Sequence, residues 1–229
     1  MKFKFLIKKN ILMITGVLFL CSVGTLFAGE APTESKAANI YNPANERPMY
    51  GGVKKTADML AADNAFRKRV LEMGFTDEQA YAASIKLGWK YFHSGKVRTA
   101  IKRFNQAWLL MPEKSGAYHG FALVRVVQQA SLSEIDQLFE MALSKKDLSA
   151  GTLSDYARFL NLSGRSRQAI TQAERALAMD GNVYNARNQM AAAYLSLGER
   201  ALGCEWARRA RSAGESSVPE AEFQATCGD

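Results

Sequence analysis

The sequence contains few of the residues from which most enzyme active sites are built. Its 229 residues include two histidines, His93 and His119, and three cysteines, Cys21, Cys204 and Cys227. Zinc sites need three or four close ligands, and the sequence has no cluster of cysteine and histidine. A Cys–His nucleophile is poorly supported because no histidine follows position 119, and a glycine-rich phosphate loop is missing. We therefore expect a protein that is not an enzyme and that uses no metal or cofactor.

Proline is also scarce, with five residues in the whole chain, and its distribution divides the sequence. Three of the five lie within residues 29–54, which show no hydrophobic periodicity, and this segment is therefore predicted to be a flexible linker. The apolar residues that follow recur at helical spacing, which predicts an N-terminal helix over residues 55–74. Glycine commonly ends helices, and Gly74 is expected to end this one.

The first 28 residues have the layout of a secretory signal, which is removed from the mature protein. Four lysines precede an uncharged apolar stretch that runs from Ile11 to Ala28. Cleavage is expected after Ala28, which would place the protein in the periplasm. The apolar stretch is also borderline in length for a retained membrane anchor, and lipidation at Cys21 is a further alternative.

The charge of the chain depends strongly on this signal. The formal net charge is +8, and it falls to +4 without residues 1–28 because four lysines and no acidic residue lie there. A charge of this size does not indicate a nucleic-acid partner. Basic residues still cluster at Arg98, Lys102 and Arg103, either as a solvated face or as a landing site for anionic envelope components.

From Thr76 onward, small residues recur with a period close to 34, which is typical of two-helix units stacked into a solenoid. One column, with spacings of 35, 34 and 34 residues, consists of Ala107, Ala142, Ala176 and Ala210. The other, with spacings of 34, 35 and 34, consists of Gly88, Ala122, Ala157 and Ala191. Thr76 and Gln79 have the spacing of a capping box, which favours a helix start at this point.

The first unit resembles the tetratricopeptide repeat family. Seven signature positions match, namely Leu87, Gly88, Tyr91, Ala100, Phe104, Ala107 and Pro112. The resemblance implies an all-α, right-handed α-solenoid of about four helix hairpins over residues 76–229. The expected repeats are residues 81–114, 115–149, 150–183 and 184–215, with a capping helix in residues 216–229.

In the family that the chain resembles, the first helix of each repeat lines a groove that binds a peptide or protein segment. That register places apolar and aromatic residues in the first half of the groove and amides with a guanidinium in the second half. The implied partner-binding residues are Ile85, Trp89, Phe92, His119, Leu123, Arg158, Asn161, Asn185 and Asn188. Two alternatives stay open: the N-terminal helix covers Trp89 and Phe92, or the asparagines are simply solvated.

The leading functional hypothesis is a non-catalytic scaffold in the cell envelope that binds a protein or peptide partner and no nucleic acid. Contact with the membrane is expected only through an uncleaved signal or lipidation. The alternatives are an assembly factor of a secretion or pilus system and a cell-wall-associated accessory factor that binds glycan. A glycan groove would need exposed aromatic residues in more than one repeat.

The two cysteines of the mature chain lie at similar distances from a predicted turn at Gly214–Ser217. If the segment after this turn is helical and folds back, Cys204 and Cys227 reach the same end of two antiparallel helices. Exported proteins occupy compartments that permit disulfides. The sequence therefore predicts a Cys204–Cys227 disulfide, with two free buried thiols as the alternative.

Overall fold

The computed structural model describes residues 43–215 and 220–228, apart from the side chain at position 222. The predicted signal over residues 1–28, the lipidation candidate Cys21, residues 29–42 of the predicted linker and residues 216–219 of the predicted cap lie outside the described residues. The described part of the chain is entirely helical and contains no strand. Within it, no helix is both long enough and apolar enough to cross a membrane.

The described residues contain ten α-helices, of which all but the first and last pair into four consecutive hairpins. Their bounds are α1 Ala57–Glu72, α2 Asp77–His93, α3 Val97–Leu110, α4 Ser115–Val127, α5 Leu132–Leu143, α6 Ala150–Leu162, α7 Ser166–Met179, α8 Ala186–Ser196, α9 Arg200–Ser212 and α10 Glu220–Cys227. The predicted all-α solenoid is confirmed.

Local signals in the sequence determine where the hairpin helices start and turn. The Thr76 hydroxyl accepts a hydrogen bond from the Gln79 amide at 3.2 Å, and the Gln79 side chain accepts one from the Thr76 amide at 2.9 Å, which completes the predicted capping box. Three hairpin turns contain a glycine with φ between 76° and 78°. The second hairpin lacks this glycine, and Gln129 adopts the left-handed conformation there with φ of 55°.

The main core cluster extends from α3 to α8 and is rich in phenylalanine and alanine. Phe104, Phe121 and Phe139 are completely buried and lie on three successive helices, α3, α4 and α5. All four alanines of the first column found in the sequence are also completely buried. An alanine presents only a methyl group, so neighbouring helices can approach closely at each of these positions.

The flexible linker predicted for residues 29–54 is wrong for its described part. Two short 3-10 helices, Ala44–Glu46 and Pro48–Gly52, form a segment that packs on α3 and that we call the strap. The buried Asn105 amide donates to the carbonyl oxygens of Asn45 at 3.0 Å and Arg47 at 2.8 Å. Asn45 and Arg47 lie 60 and 58 residues before Asn105 in sequence. Local composition therefore cannot predict that the strap has a defined structure.

Glu46 is the second attachment of the strap and lies almost completely buried against α3. Its carboxylate accepts a hydrogen bond from Arg98 at 2.6 Å and pairs with Lys102 at 3.0 Å. The hydrogen bond from Arg98, followed by that from Lys102, holds the pKa of Glu46 below its ordinary value despite the opposing effect of burial. Two cations of the basic cluster on α3 are therefore neutralised within the chain.

We expect the strap to loosen in acid. Because the pKa of Glu46 is lower in the folded state than in the unfolded state, its contribution to stability is present above the ordinary value of 4.5 and disappears as the pH falls through the folded value. Urea unfolding of wild type and Glu46→Gln should therefore differ most above pH 4.5 and converge in more acidic solution. The control is Glu174→Gln, at an exposed site on α7. A pH-independent difference between wild type and Glu46→Gln would contradict this assignment.

The N-terminal helix α1 packs at the start of the solenoid. Its residues Phe66 and Val70 contact Ala80 and Tyr81 at the beginning of α2 and Leu110 at the end of α3. The rings in contact with Trp89, by comparison, come from α2, α3 and α4. The alternative in which α1 covers Trp89 and Phe92 is therefore not the arrangement seen.

The last helix, α10, is attached to α9 by the predicted disulfide. Cys204 and Cys227 are bonded with their Cα atoms 5.3 Å apart, and both are buried. Arg200 donates a hydrogen bond to the Thr226 carbonyl oxygen at 2.8 Å, close to the bridge. The cap thus has one covalent and several polar attachments to the last repeat.

Candidate partner-binding groove

The first helices of the four hairpins, α2, α4, α6 and α8, lie side by side and form one face of the solenoid, which we call the groove face. The residues predicted to bind a partner all lie on these helices or, for Asn185, immediately before α8. The structure divides them into a hydrophobic floor, a set of inter-helix contacts and one exposed cation.

Trp89 is the centre of an aromatic cluster at the start of the groove face. Its ring centroid lies 5.8 Å from that of Phe92, 5.1 Å from Phe104 and 4.9 Å from His119. His93, which is exposed, stacks on the same indole at 6.0 Å. Trp89 is therefore half-buried, so that one part of the ring supports the core and the rest faces the groove.

Ile85 and Leu123 form part of the hydrophobic floor, because both are partly buried against the core. Next to Ile85, the Tyr81 hydroxyl accepts a hydrogen bond from the Gly116 amide at 3.2 Å. Burial raises the pKa of Tyr81 to about 12. The Tyr81 hydroxyl is therefore uncharged at physiological pH.

His119 links the second and third repeats through a contact that sequence reasoning missed. Its Nε2 atom lies 2.9 Å from Oδ2 of Asp155 on α6. The alignment of the repeats places His119 opposite Ser154, the residue before Asp155. The alignment alone therefore does not predict a contact between His119 and Asp155. The pair extends the aromatic cluster across three adjacent helices.

Two of the predicted asparagines have their amides engaged within the chain. Asn161 donates from α6 to the backbone and side-chain oxygens of Gln189 on α8, at 3.0 and 3.1 Å. Asn188 donates to the Glu215 carbonyl oxygen at 2.7 Å. These amides hold neighbouring parts of the solenoid together, so replacing them would disturb the fold as well as any partner contact.

Asn185 occupies a special backbone position rather than an open part of the groove. It precedes α8 with φ of 72°, in the left-handed region that asparagine tolerates better than most residues. Its side-chain oxygen accepts a hydrogen bond from Asn188 at 3.3 Å.

Arg158 is an exposed cation on α6, and its guanidinium has no partner among the described residues. One helical turn further along α6, Leu162 is 72% exposed. Val127, at the end of α4, and Leu132, at the start of α5, are also about half exposed. Leu132 and Leu162 line a cavity of about 470 Å³. We call these three apolar residues the turn-edge patch; the sequence analysis did not include them.

The groove face presents side chains of the kinds that commonly anchor protein partners. No group of three or more His, Cys, Asp or Glu residues could hold a metal ion in the part of the chain described here. The arrangement combines a half-buried aromatic cluster, an exposed guanidinium and exposed aliphatic side chains, which are groups that anchor protein partners.

The comparisons with known proteins identify the fold. No family model matches the chain, and no curated protein does. A solved structure of PilF from Pseudomonas aeruginosa, described as a functional characterization, is similar, with a TM-score of 0.56 and 19% identity. The match covers 60% of this chain and 62% of the PilF chain. The likeness to PilF is one of fold, and it agrees with the all-helical α-solenoid formed by the described residues.

Proposed function

We propose that this protein is a non-catalytic scaffold of the bacterial cell envelope that binds a segment of another protein along its groove face. The observation that carries the proposal is the position of Arg158, a partnerless guanidinium one helical turn from the exposed Leu162. An aliphatic anchor beside an unpaired cation fits a segment that has an apolar residue close to a carboxylate.

Location in the envelope is part of the proposal. The lysine-rich start and apolar stretch of residues 1–28 support export. The Cys204–Cys227 disulfide supports an oxidising compartment, such as the periplasm, because disulfides are rare in the reducing cytosol.

A scaffold role includes the case of an assembly factor for a secretion or pilus system. Glycan binding is less well supported, because Trp89 and Phe92, the tryptophan and phenylalanine among the predicted groove residues, both come from α2. A sugar-binding groove would instead present aromatic faces from several repeats.

Arg158→Glu is expected to weaken partner binding at least tenfold without changing the thermal midpoint. Reversing an unpaired exposed charge removes an attraction and adds a repulsion for an acidic segment, whereas exposed substitutions shift stability by less than about 0.5 kcal/mol. The measurement is affinity purification from envelope extracts, quantified by mass spectrometry, and then titration of the captured partner. Equal recovery of that partner by Arg158→Glu and wild type would refute the assignment.

The matched control is Arg175→Glu. Arg175 is exposed on α7 and, among the described residues, hydrogen-bonds only to the neutral Gln172, at 2.8 Å. The control changes net charge by the same amount on a helix outside the groove face. Leu162→Glu, compared with Leu71→Glu on α1, tests the apolar anchor in the same way, since the two leucines are 72% and 68% exposed.

A further inference from the structure

A second cavity lies between α1, the strap and α3, away from the groove helices. It has a volume of about 540 Å³, within the range of pockets that hold small organic ligands. Two contacts of α1 lie beside this cavity. Phe66 and Val70 of α1 pack on residues of α2 and α3. Closer to the start of α1, Asp63 pairs with Lys55, whose ammonium lies 4.5 Å from the Tyr50 ring centroid.

The walls of this cavity are apolar on the side of α1. Met59, Ala62 and Phe66 line it from α1, and Pro43 and Leu109 contribute from the strap and α3. These side chains present methyl, methylene and ring surface without hydrogen-bonding groups. A hydrocarbon chain in this cavity would therefore leave water without displacing a polar contact.

The lining also carries positive charge that the protein does not fully compensate. Arg69 has no side-chain partner among the described residues, and Arg103 donates only to the neutral Gln106, at 2.8 Å. Lys102 is paired with Glu46, and Asp63, the single carboxylate among the lining residues, is paired with Lys55. Two cations thus remain available at an apolar cavity.

We propose that this cavity binds a long-chain carboxylate, a fatty-acid anion whose hydrocarbon chain lies against Met59, Ala62 and Phe66. The carboxylate pairs with the guanidinium groups of Arg69 and Arg103, which suit its planar geometry. The site does not involve the groove face, so this inference is independent of the proposed partner binding.

The binding test uses the full mature protein and a fluorescent fatty acid, dansyl-undecanoate, displaced by octanoate, decanoate and dodecanoate. Affinity should rise with chain length, up to about fourfold for each methylene, the factor that corresponds to about 0.8 kcal/mol. The cationic amphiphile dodecyltrimethylammonium, which has the same chain length as dodecanoate, should displace the probe at least tenfold more weakly. Equal displacement by the two amphiphiles, or no binding of the probe, would overturn the proposal.

Two matched pairs of variants locate the site. Ala62→Trp places an indole in the cavity and should weaken dansyl-undecanoate binding at least tenfold, whereas Ala65→Trp changes an exposed alanine of α1 that does not line the cavity. Arg103→Glu should weaken binding about tenfold, whereas Arg175→Glu, another second-helix arginine paired only with a glutamine, should not.

The pair Arg103→Glu and Arg175→Glu keeps the test decisive if Ala62→Trp alters the packing of α1, because Arg103 is only partly buried and its replacement adds no bulk to the core. Equal binding by Arg103→Glu and Arg175→Glu would overturn the proposed site even if the protein binds the probe elsewhere.

Discussion

Phe104→Ala is expected to lower the free energy of unfolding by about 3–5 kcal/mol, the range for removing a fully buried aromatic side chain. Phe104 is 0% exposed and lies between α2 and α4. A Cβ atom at Gly88 would lie 2.4 Å from its ring, and one at Gly120 would lie 2.5 Å from it. The ring therefore packs directly on the backbones of two helices, which cannot easily collapse into the space it leaves.

Urea unfolding followed by circular dichroism measures this effect, with Phe75→Ala as the matched control. Phe75 lies in the turn between α1 and α2 and is 46% exposed, so its removal should cost less than about 1 kcal/mol. Similar losses for the two variants would mean that Phe104 does not join the first two repeats.

The same contact predicts an unusual response to glycine substitution. Gly88→Ala should destabilise the protein by about 1–3 kcal/mol, because the added methyl overlaps a buried ring that cannot move away. At Gly151 the closest atom to an added Cβ is 3.8 Å away, so Gly151→Ala should be neutral or stabilise helix α6 by up to about 1 kcal/mol.

Removing the disulfide is expected to release the C-terminal cap. The bridge closes a loop between residues 23 apart in sequence, which corresponds to roughly 3 kcal/mol in the chain-entropy model. Helix α10 has eight residues and is too short to remain helical in isolation. Cys204→Ala with Cys227→Ala should therefore abolish the hydrogen-exchange protection of the amides in Glu220–Cys227, while α2 to α5 keep theirs.

The control for this variant is reduction of the wild-type protein, which should produce the same local loss of protection without any change of sequence. Thiol counting on denatured, unreduced protein from a periplasmic extract tests the bridge itself, and the intact mass from the same sample reports cleavage after Ala28. Two reactive thiols in the mature chain would show that the bridge does not form.

Sequence reasoning succeeded where the signal was repeated or local. The small-residue columns marked the helix crossings, and the capping box at Thr76 and the glycine turns marked element ends. The cysteine pairing also followed from helix geometry, because both cysteines lie at similar distances from one turn. In each case the signal comes from a few residues that are close in sequence or from a pattern that recurs in every repeat.

The strap shows why a linker prediction failed. Residues 43–54 have the proline and glycine content of a flexible segment, and no hydrophobic period marks them. Their order comes from Asn105 and from the cations that pair with Glu46, all of which lie on α3, more than 50 residues away in sequence. The presence of one asparagine in a helix does not predict which distant residues its side chain will contact.

The candidate groove shows a second limit. The register placed the predicted residues on α2, α4, α6 and α8 or next to α8, but it could not separate exposed residues from residues that join the repeats. Asn161 and Asn188 were grouped with Arg158, yet the two amides are engaged within the chain and the guanidinium is exposed. The distinction depends on inter-helix distances of a few ångströms, which periodicity does not specify.

The sequence by itself determined that the chain is a stack of helix hairpins, because the spacing of small residues dictates where helices can approach. The tertiary structure decided which polar groups that stack leaves available. The side-chain NH2 groups of Asn105, Asn161 and Asn188 donate internal hydrogen bonds, whereas Arg69, Arg103 and Arg158 lack acidic partners among the described residues. Pairing requires groups distant in sequence to meet within about 3 Å, so only the folded chain settles which charges and amides remain free for a ligand or partner.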